Sequence, residues 1–221
     1  MKKKLLVSFG ILLIWIVMSI VGSVLYTKIF PSKLPVPINV RVVNESYEIE
    51  LVKADLETYG TISSKVENII IANIKDVHEK LGIPIGLLHC IFRVESEYRF
   101  NIDHPEVTVS VGKHTIKTHA IGLGGVMWCY WGDSLKAHKI AEKEFDLYLP
   151  DVNIQASGYI LSVMIKEAIQ DDIADYGILD KIIRRYYGAY SEIYMAKMQK
   201  ITSDLWLHRI AKDILHEYTR N

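Results

Sequence analysis

The chain of 221 residues carries 26 basic and 26 acidic side chains, and this balance excludes a general nucleic-acid binder. It is long enough for one membrane segment and one domain with a hydrophobic core, but too short for two large domains. Its two cysteines exclude a disulfide-rich scaffold and a four-cysteine zinc site, and they leave open either a single disulfide or two buried thiols.

The first predicted element is a transmembrane helix within residues 1–30. Residues 5–26 include no charged side chain, and as a helix they would reach about 33 Å, which is enough to span a bilayer. The lysines that precede this segment predict a cytoplasmic N-terminus, with the chain after Phe30 on the outer side of the membrane. A cleaved signal peptide is the alternative. We favour an uncleaved anchor, because the apolar stretch is long for a signal peptide and Gly22-Ser23 is a poor cleavage site.

Residues 31–60 are predicted to form a spacer, and residues 61–221 the folded domain. The spacer begins with three prolines and continues as a mixed polar stretch, which favours a semi-extended segment followed by one short strand. The first helix of the domain is predicted to begin at a capping box, Ser64-Lys-Val-Glu67, and to end at Gly82. Between these points apolar residues recur at spacings of three and four.

A second helix is predicted to start at Pro84, which suits the first turn of a helix. Its apolar stripe includes Ile91 and Phe92, and Glu95 continues the stripe because it follows them by four and three residues. Glu97 lies two positions further on, or about 200° around a helix, and is expected to point away from the domain. The two acids are therefore predicted to differ in their surroundings.

The remaining pattern predicts a β-hairpin and then more helices. Residues 107–111 and 114–118 alternate apolar and polar side chains on either side of Gly112-Lys113, which is typical of a hairpin. Several glycines then open a segment that ends in Trp128 and Trp131. Further helices are predicted over residues 153–167, 179–200 and 204–218. The expected fold is a mainly α domain with a small β-hairpin inserted after its second helix.

Four short blocks in this order resemble the lytic transglycosylases with a lysozyme-like fold, over about residues 62–200. Val94-Glu95-Ser96-Glu97-Tyr98 is similar to the Glu-Ser pair at the end of that family's catalytic helix. Ala120-Ile-Gly122-Leu123-Gly-Gly-Val-Met127 is similar to its Ala-x-Gly-Leu-Met-Gln block, with Gly124-Gly125 in place of Met-Gln. Asn153-Ile154-x-x-x-Gly158 resembles its Asn-Ile helix, and Arg185-Tyr186-Tyr187-Gly188 stands where the family has Tyr-Asn-x-Gly.

The resemblance implies a lysozyme-like fold and an enzyme that cuts the β-1,4 bond between MurNAc and GlcNAc in peptidoglycan. The product would carry a 1,6-anhydro ring on MurNAc, so no water would be consumed. Glu95 would act first as the catalytic acid and then as the base. The residues that would bind substrate come from the same blocks: Ser96, Gly122, Leu123, Tyr186 and Tyr187.

The chemistry of the residues supports Glu95 independently. Breaking a glycosidic bond needs a proton donor that stays protonated near neutral pH, and a glutamic acid on an apolar helix face has the burial that raises its pKa. Ordinary glycoside hydrolases also need a second carboxylate about 5 to 9.5 Å away. Asp103, Glu106 and Asp133 are available, but no recognisable pairing links them to Glu95.

We expect neither a metal nor a cofactor. His104, His114 and His119 lie close together in the sequence, but on predicted loop and hairpin positions without a His-Glu-x-x-His helix or partner cysteines. Trp128 and Trp131 are predicted to be core or helix-packing residues in preference to platforms for sugar rings.

Two other functions stay open from the sequence. One is a lysozyme-type muramidase, which would be a hydrolase, and the other is an inactive peptidoglycan-binding module of an envelope-spanning machine. In each case the expected partners are glycan strands, the membrane through the N-terminal helix and an envelope-spanning assembly, with no nucleic acid. The expected location is the inner membrane, crossed once, with the domain in the periplasm.

Overall fold

The structure is a computed structural model that describes residues 45–58, 62–170, 176–187 and 191–219. Within these residues the chain forms eight α-helices, one 3-10 helix and one two-stranded sheet, so the predicted mainly α class with a small hairpin is confirmed. The predicted membrane segment, residues 5–26, lies outside the described residues. None of the described helices is long and apolar enough to cross a membrane.

Three helices precede the sheet: α1 (Glu45–Thr58), α2 (Ser64–Leu81) and α3 (Ile85–Glu95). The sheet is an antiparallel hairpin of β1 (Val107–Val111) and β2 (His114–Thr118), as predicted. After it come α4 (Trp128–Ala137), the 3-10 helix (Glu144–Tyr148), α5 (Pro150–Ile169), α6 (Tyr176–Tyr187), α7 (Ser191–Ile201) and α8 (Asp204–Thr219). The single helix predicted over residues 179–200 is thus wrong, because the described residues of that range belong to two helices, α6 and α7.

The described part of the predicted spacer is a helix that contributes to the core. In α1, Ile49, Val52 and Leu56 are buried, and their spacings of three and four place them on one face. That face packs against α2 and α3. The short strand predicted within residues 31–60 is therefore wrong for residues 45–58, where the apolar period is that of a helix.

The two helices that follow have clear boundary signals. The N-cap of α2 is Ser63, one residue before the predicted capping box, and its Oγ accepts the Val66 N–H at 3.5 Å. Gly82 ends α2 with a left-handed φ of 66°, as predicted. α3 starts directly after Pro84, and its residues 85–92 are all buried. Within α3, Cys90 is a buried free thiol.

Two hydrophobic clusters make the core, and α5 contributes to both because it is buried on more than one face. Ile154 and Leu161 belong to the larger cluster, whereas Ile160 and Met164 belong to the smaller one. Tyr186 of α6 packs against both. The junction of the clusters therefore lies beside α5 and α6, next to the end of α3.

Candidate active site

The helix α3 ends at Glu95 because the next residue turns back on it. The backbone N–H of Ser96 donates to the Phe92 carbonyl oxygen at 3.1 Å, and the Ser96 hydroxyl donates to the same oxygen at 3.0 Å. Ser96 is fully buried. Its side chain therefore closes the last turn of the helix and lies away from the surface of the cleft described below.

The two residues after Ser96 hold an uncommon backbone conformation. Glu97 and Tyr98 have φ values of 51° and 63°, in the left-handed region that side chains other than glycine rarely adopt. Tyr98 is fully buried, and its hydroxyl lies 2.6 Å from Nδ1 of the buried His89. This anchoring fixes the sharp exit from α3, as expected where the surrounding structure imposes strain on the backbone.

The exit separates the two acids, as predicted. The Glu95 side chain is only 8 % exposed, whereas that of Glu97 is 55 % exposed and faces Arg93. Helix phase alone is not the cause, because Glu97 already lies outside the helix. The left-handed turn completes the separation.

A glycine-rich turn over residues 121–126 faces Glu95. It is closed by two backbone hydrogen bonds between Ile121 and Val126, each 3.0 Å long. Asn153, which is fully buried on α5, holds the turn from behind. Its Oδ1 accepts the Gly124 N–H at 2.9 Å, and its Nδ2 donates to the carbonyl oxygens of Ile121 at 2.9 Å and Leu147 at 2.8 Å. One side chain thus fixes the turn through two hydrogen bonds and the neighbouring 3-10 helix through a third.

The glycines of this turn leave no room for side chains. A Cβ at Gly124 would lie 2.0 Å from the Ser157 hydroxyl oxygen, and one at Gly125 would lie 2.8 Å from Oε2 of Glu95. Gly125 also has a φ of 61°. The absence of side chains at Gly124 and Gly125 therefore brings the backbone of the turn directly against the Glu95 carboxyl. The Tyr186 hydroxyl fixes the other side of the turn by donating to the Gly124 carbonyl oxygen at 2.5 Å.

Burial gives Glu95 the properties of an acid that is protonated at neutral pH. It raises the pKa of the Glu95 carboxyl from its ordinary value of 4.5 to about 8. The Tyr194 hydroxyl and the Lys197 ammonium group, both on α7, oppose this shift. Burial prevails because its effect on the pKa is larger than either of theirs.

Glu95 lies in the wall of a cleft of about 960 Å³ between the hairpin and the helical body. One wall includes residues 107–109 of β1, and the opposite side includes Ile160 and Met164 of α5. Among the described residues that line the cleft, Glu95 is the only carboxylate. The other lining side chains are mostly apolar or aromatic, with His104 next to Glu95 and Arg185 as the cation.

The structure brings some of the predicted substrate-binding residues to this cleft and not others. Tyr186 and Tyr187 line it together with Glu95. Leu123 is fully buried in the larger core cluster, and Gly122 lies in the turn with a φ of 72°. These two residues and Ser96 shape the site from behind and are not among its lining residues.

The aromatic residues also separate into two groups. Tyr130 and Trp131 line the cleft, and the Tyr130 side chain is one of the exposed aromatic groups of the protein. Trp128, in contrast, packs against the smaller core cluster. The prediction of a packing residue is thus confirmed for Trp128, which is half-buried, while Trp131 both packs against that cluster and lines the cleft.

The three candidates for a second carboxylate make other contacts. Asp103 accepts a hydrogen bond from Tyr148, and Glu106 pairs with Lys117 at 3.1 Å. Asp133 is exposed on α4. None of them is among the residues that line the cleft.

Sequence reasoning missed His104 and Asn153 as parts of the site. The sequence marks His104 only as a candidate metal ligand, yet its Nδ1 lies 3.8 Å from Oε2 of Glu95. Asn153 stands out in the sequence only as part of the Asn-Ile block. A signal for Asn153 was present, since a polar residue on an apolar helix face must find hydrogen-bond partners.

The described residues include no group of three or more His, Cys, Asp or Glu side chains arranged to hold a metal ion.

Comparison of the chain with family models, with curated proteins and with solved structures gives no match in any of the three cases.

Proposed function

We propose that this protein is a peptidoglycan lytic transglycosylase with a lysozyme-like catalytic domain and with Glu95 as its catalytic acid and base. The observation that carries the proposal is a buried carboxyl, 8 % exposed, in the wall of an open cleft. Such a group combines access to substrate with the low polarity that keeps it protonated. One described residue of each of the four blocks, namely Glu95, Gly124, Asn153 and Tyr186, lies at or beside the glycine-rich turn.

The shape and lining of the cleft suit a glycan strand. Its volume of about 960 Å³ is at the upper end of the range of about 300 to 1,000 Å³ for ligand pockets. Tyr130 and Trp131 line the cleft with aromatic rings. The apolar face of such a ring can stack on the flat face of a sugar ring. Arg185, which also contacts Glu167, adds one positive charge to a largely uncharged surface.

The single carboxylate favours a transglycosylase over a muramidase. Retaining and inverting hydrolases use two carboxylates that flank the scissile bond, and the described lining of the cleft supplies only Glu95. In the proposed reaction, Glu95 gives its proton to the leaving glycosidic oxygen while the N-acetyl group stabilises the positive charge at the sugar carbon. The Glu95 carboxylate then takes the proton of the sugar's 6-hydroxyl as that oxygen closes the anhydro ring. Glu95 ends protonated again, and no water is needed.

Digestion of purified peptidoglycan with the purified chain tests this reaction. We expect muropeptides with 1,6-anhydro ends, each lighter by one water than the product of hydrolysis. Reducing ends would contradict the proposal and favour a muramidase. Binding to the wall without any turnover would instead favour a module that only positions peptidoglycan.

Glu95→Gln and Glu97→Gln form a matched pair for the same assay, because they make the same chemical change two residues apart. Glu95→Gln is expected to abolish cleavage, since glutamine cannot give or take the proton. Glu97→Gln should retain most of the activity, since the Glu97 side chain is 55 % exposed and points away from the cleft. Equal losses would argue against Glu95 as the acid.

We further propose that the catalytic domain lies in the periplasm, anchored by residues 5–26 as a single inner-membrane helix. This apolar segment and the lysines before it support that location. An envelope-spanning assembly is the partner that suits a wall-cutting enzyme held at the membrane. A reporter that is active only in the periplasm, fused after residue 221, should be active. Activity of a cytoplasmic reporter at the same position would contradict this topology.

A further inference from the structure

His104 contacts the same cleft as Glu95 and has an identifiable neighbour at each ring nitrogen. Nε2 lies 3.1 Å from the carbonyl oxygen of Gly122, and Nδ1 lies 3.8 Å from Oε2 of Glu95. The side chain is only 14 % exposed. The ring therefore bridges the glycine-rich turn and the proposed catalytic acid.

The contact with Gly122 determines which ring nitrogen carries the proton. A carbonyl oxygen can only accept a hydrogen bond, so Nε2 must be the donor. In the neutral ring Nδ1 then bears a lone pair, and this lone pair faces Glu95. Burial lowers the pKa of His104, which keeps the ring neutral at neutral pH, while the pKa of Glu95 is raised to about 8. A protonated acid thus faces a neutral imidazole, and the two do not form an ion pair.

Other charged or titratable groups surround the pair. Arg99, Asp103 and His119 act on His104, with effects of opposite sign on its pKa. Lys197 and the hydroxyls of Tyr186 and Tyr194 lie near Glu95. For His104 the effect of burial is the largest, ahead of the opposing effect of its hydrogen bond to Gly122.

The distance between the two side chains allows one hydroxyl group in the cleft to contact both of them. A distance of 3.8 Å is too long for a direct hydrogen bond. An oxygen atom that lies to one side of the line joining Nδ1 and Oε2 can, however, be about 2.8 Å from both atoms, which is an ordinary hydrogen-bond length. Because Nδ1 only accepts, the bridging group must be a donor, and a hydroxyl satisfies this requirement.

We propose that His104 is a positioning residue that holds the 6-hydroxyl of the sugar beside Glu95 by accepting its hydrogen bond at Nδ1. The role of the sugar hydroxyl rests on the proposed transglycosylase function, whereas the pairing of His104 with Glu95 does not. While Glu95 is protonated, the hydroxyl donates to Nδ1. Once Glu95 has given its proton to the leaving oxygen, the hydroxyl turns toward the carboxylate, which takes its proton as the ring closes. The imidazole itself gains and loses no proton.

Two substitutions separate this role from support of the turn. In His104→Gln, the amide can replace Nε2 as the donor to Gly122, but the acceptor beside Glu95 is lost. In His104→Asn, the amide oxygen can replace Nδ1 as the acceptor, but the bond to Gly122 is lost. We expect kcat to fall by up to about 100-fold in His104→Gln, with a smaller change in KM and normal thermal stability. His104→Asn should retain more activity and lose more stability.

The opposite ranking would overturn the positioning role. A fully active His104→Gln beside a weak His104→Asn would mean that His104 only supports the Gly122 turn. His114→Gln is the matched control, because His114 is exposed in the hairpin and is not among the residues that line the cleft. This variant should behave as the unchanged protein.

NMR of the imidazole nitrogens tests the pairing without any turnover. We expect the Nε2–H tautomer at neutral pH and a change in the His104 signals near the pKa of Glu95, about 8, that is absent from Glu95→Gln. An Nδ1–H tautomer, or signals that do not change there, would overturn the pairing even in an active enzyme. The expected signals in a chain that does not cleave peptidoglycan would support the pairing and overturn the proposed function, together with the role for a sugar hydroxyl.

Discussion

The Glu95 carboxyl packs directly against the backbone of Gly125. A Cβ at residue 125 would lie 2.8 Å from Oε2 and 2.9 Å from Cδ of Glu95. Gly125 also has a φ of 61°, which a side chain disfavours. Glycine is therefore required at this position for two separate reasons: the close contact with the Glu95 carboxyl and the positive φ.

Gly125→Ala should displace the Glu95 carboxyl and impair cleavage. The new methyl group would enter the space that the carboxyl occupies, and a displacement of about 1 Å in an active site can cost about 100-fold in rate. Strain at a positive φ should lower the free energy of unfolding by about 1 to 3 kcal/mol. Muropeptide release and urea denaturation measure the two effects.

Gly112→Ala supplies the control for backbone strain. Gly112 has a φ of 60°, but a Cβ there would have no atom within 4 Å. This variant should lose a similar amount of stability through strain and keep its rate of cleavage. An active Gly125→Ala, or equal losses of activity in both variants, would contradict the importance of the contact with Glu95.

The free energy of unfolding should fall as the pH rises from about 4.5, the ordinary pKa of Glu95, to about 8, its pKa in the folded protein. Its pKa of about 8 in the folded state, against an ordinary 4.5, means that the folded protein retains a proton that the unfolded chain releases. Within this window the free energy of unfolding should fall by up to about 1.4 kcal/mol per pH unit. Glu95→Gln removes this loss. The variant should therefore be more stable than the unchanged protein at about pH 9, with a smaller difference at about pH 5.

Urea denaturation at both pH values measures the difference between the two proteins. Glu97→Gln is the matched control, because it makes the same chemical change at a side chain that is 55 % exposed. A difference between Glu95→Gln and the unchanged protein that stays constant with pH would show that burial does not raise the pKa of Glu95.

The sequence predicted correctly those helices and strands whose periodicity and end signals are both visible in local patterns. The hairpin was placed correctly because period-two alternation and Gly112-Lys113 define both its strands and its turn. Helix α1 was missed although Ile49, Val52 and Leu56 have helical spacing. Glu48 is also buried and lies beside this stripe, so polar and apolar positions are not cleanly separated.

The sequence predicted only the part of the site that lies on α3. The period of α3 placed Glu95 on the inner side, and the structure agrees. The contact with His104 depends on the turn after α3, where Glu97 and Tyr98 adopt positive φ values. Neither residue is glycine, so no local signal marks the turn. Tertiary packing around Tyr98 imposes it, and the sequence pattern does not include that information.

Asn153→Ala should destabilise the protein and disorganise the turn beside Glu95. The substitution removes the partner that Asn153 supplies to the buried Gly124 N–H and to the Leu147 carbonyl oxygen, while the Ile121 carbonyl oxygen keeps the Val126 N–H. Buried polar groups without partners cost about 1 to 3 kcal/mol each, so we expect a loss of about 2 kcal/mol or more. Gln155→Ala is the control on the same helix, since Gln155 is only half-buried and donates to Asn73 and Asp76 of α2, away from the turn. It should cost about 1 kcal/mol or less, as measured by urea denaturation. Similar losses in the two variants would contradict a special role for Asn153.

Leu56→Ala tests whether α1 belongs to the folded domain or behaves as a spacer. Leu56 is 3 % exposed and packs in the larger core cluster, so its truncation should lower the free energy of unfolding by about 2 to 4 kcal/mol. Glu57→Ala on the same helix is the control, because Glu57 is exposed and its loss should change stability by at most about 0.5 kcal/mol. Urea denaturation of the purified chain in a mild detergent measures both.

If Leu56→Ala were as stable as Glu57→Ala, α1 would contribute nothing to the core and the predicted spacer would extend through it. A loss confined to Leu56→Ala would mean that α1, α2 and α3 unfold together, so that the segment before residue 61 also supports the helix that presents Glu95.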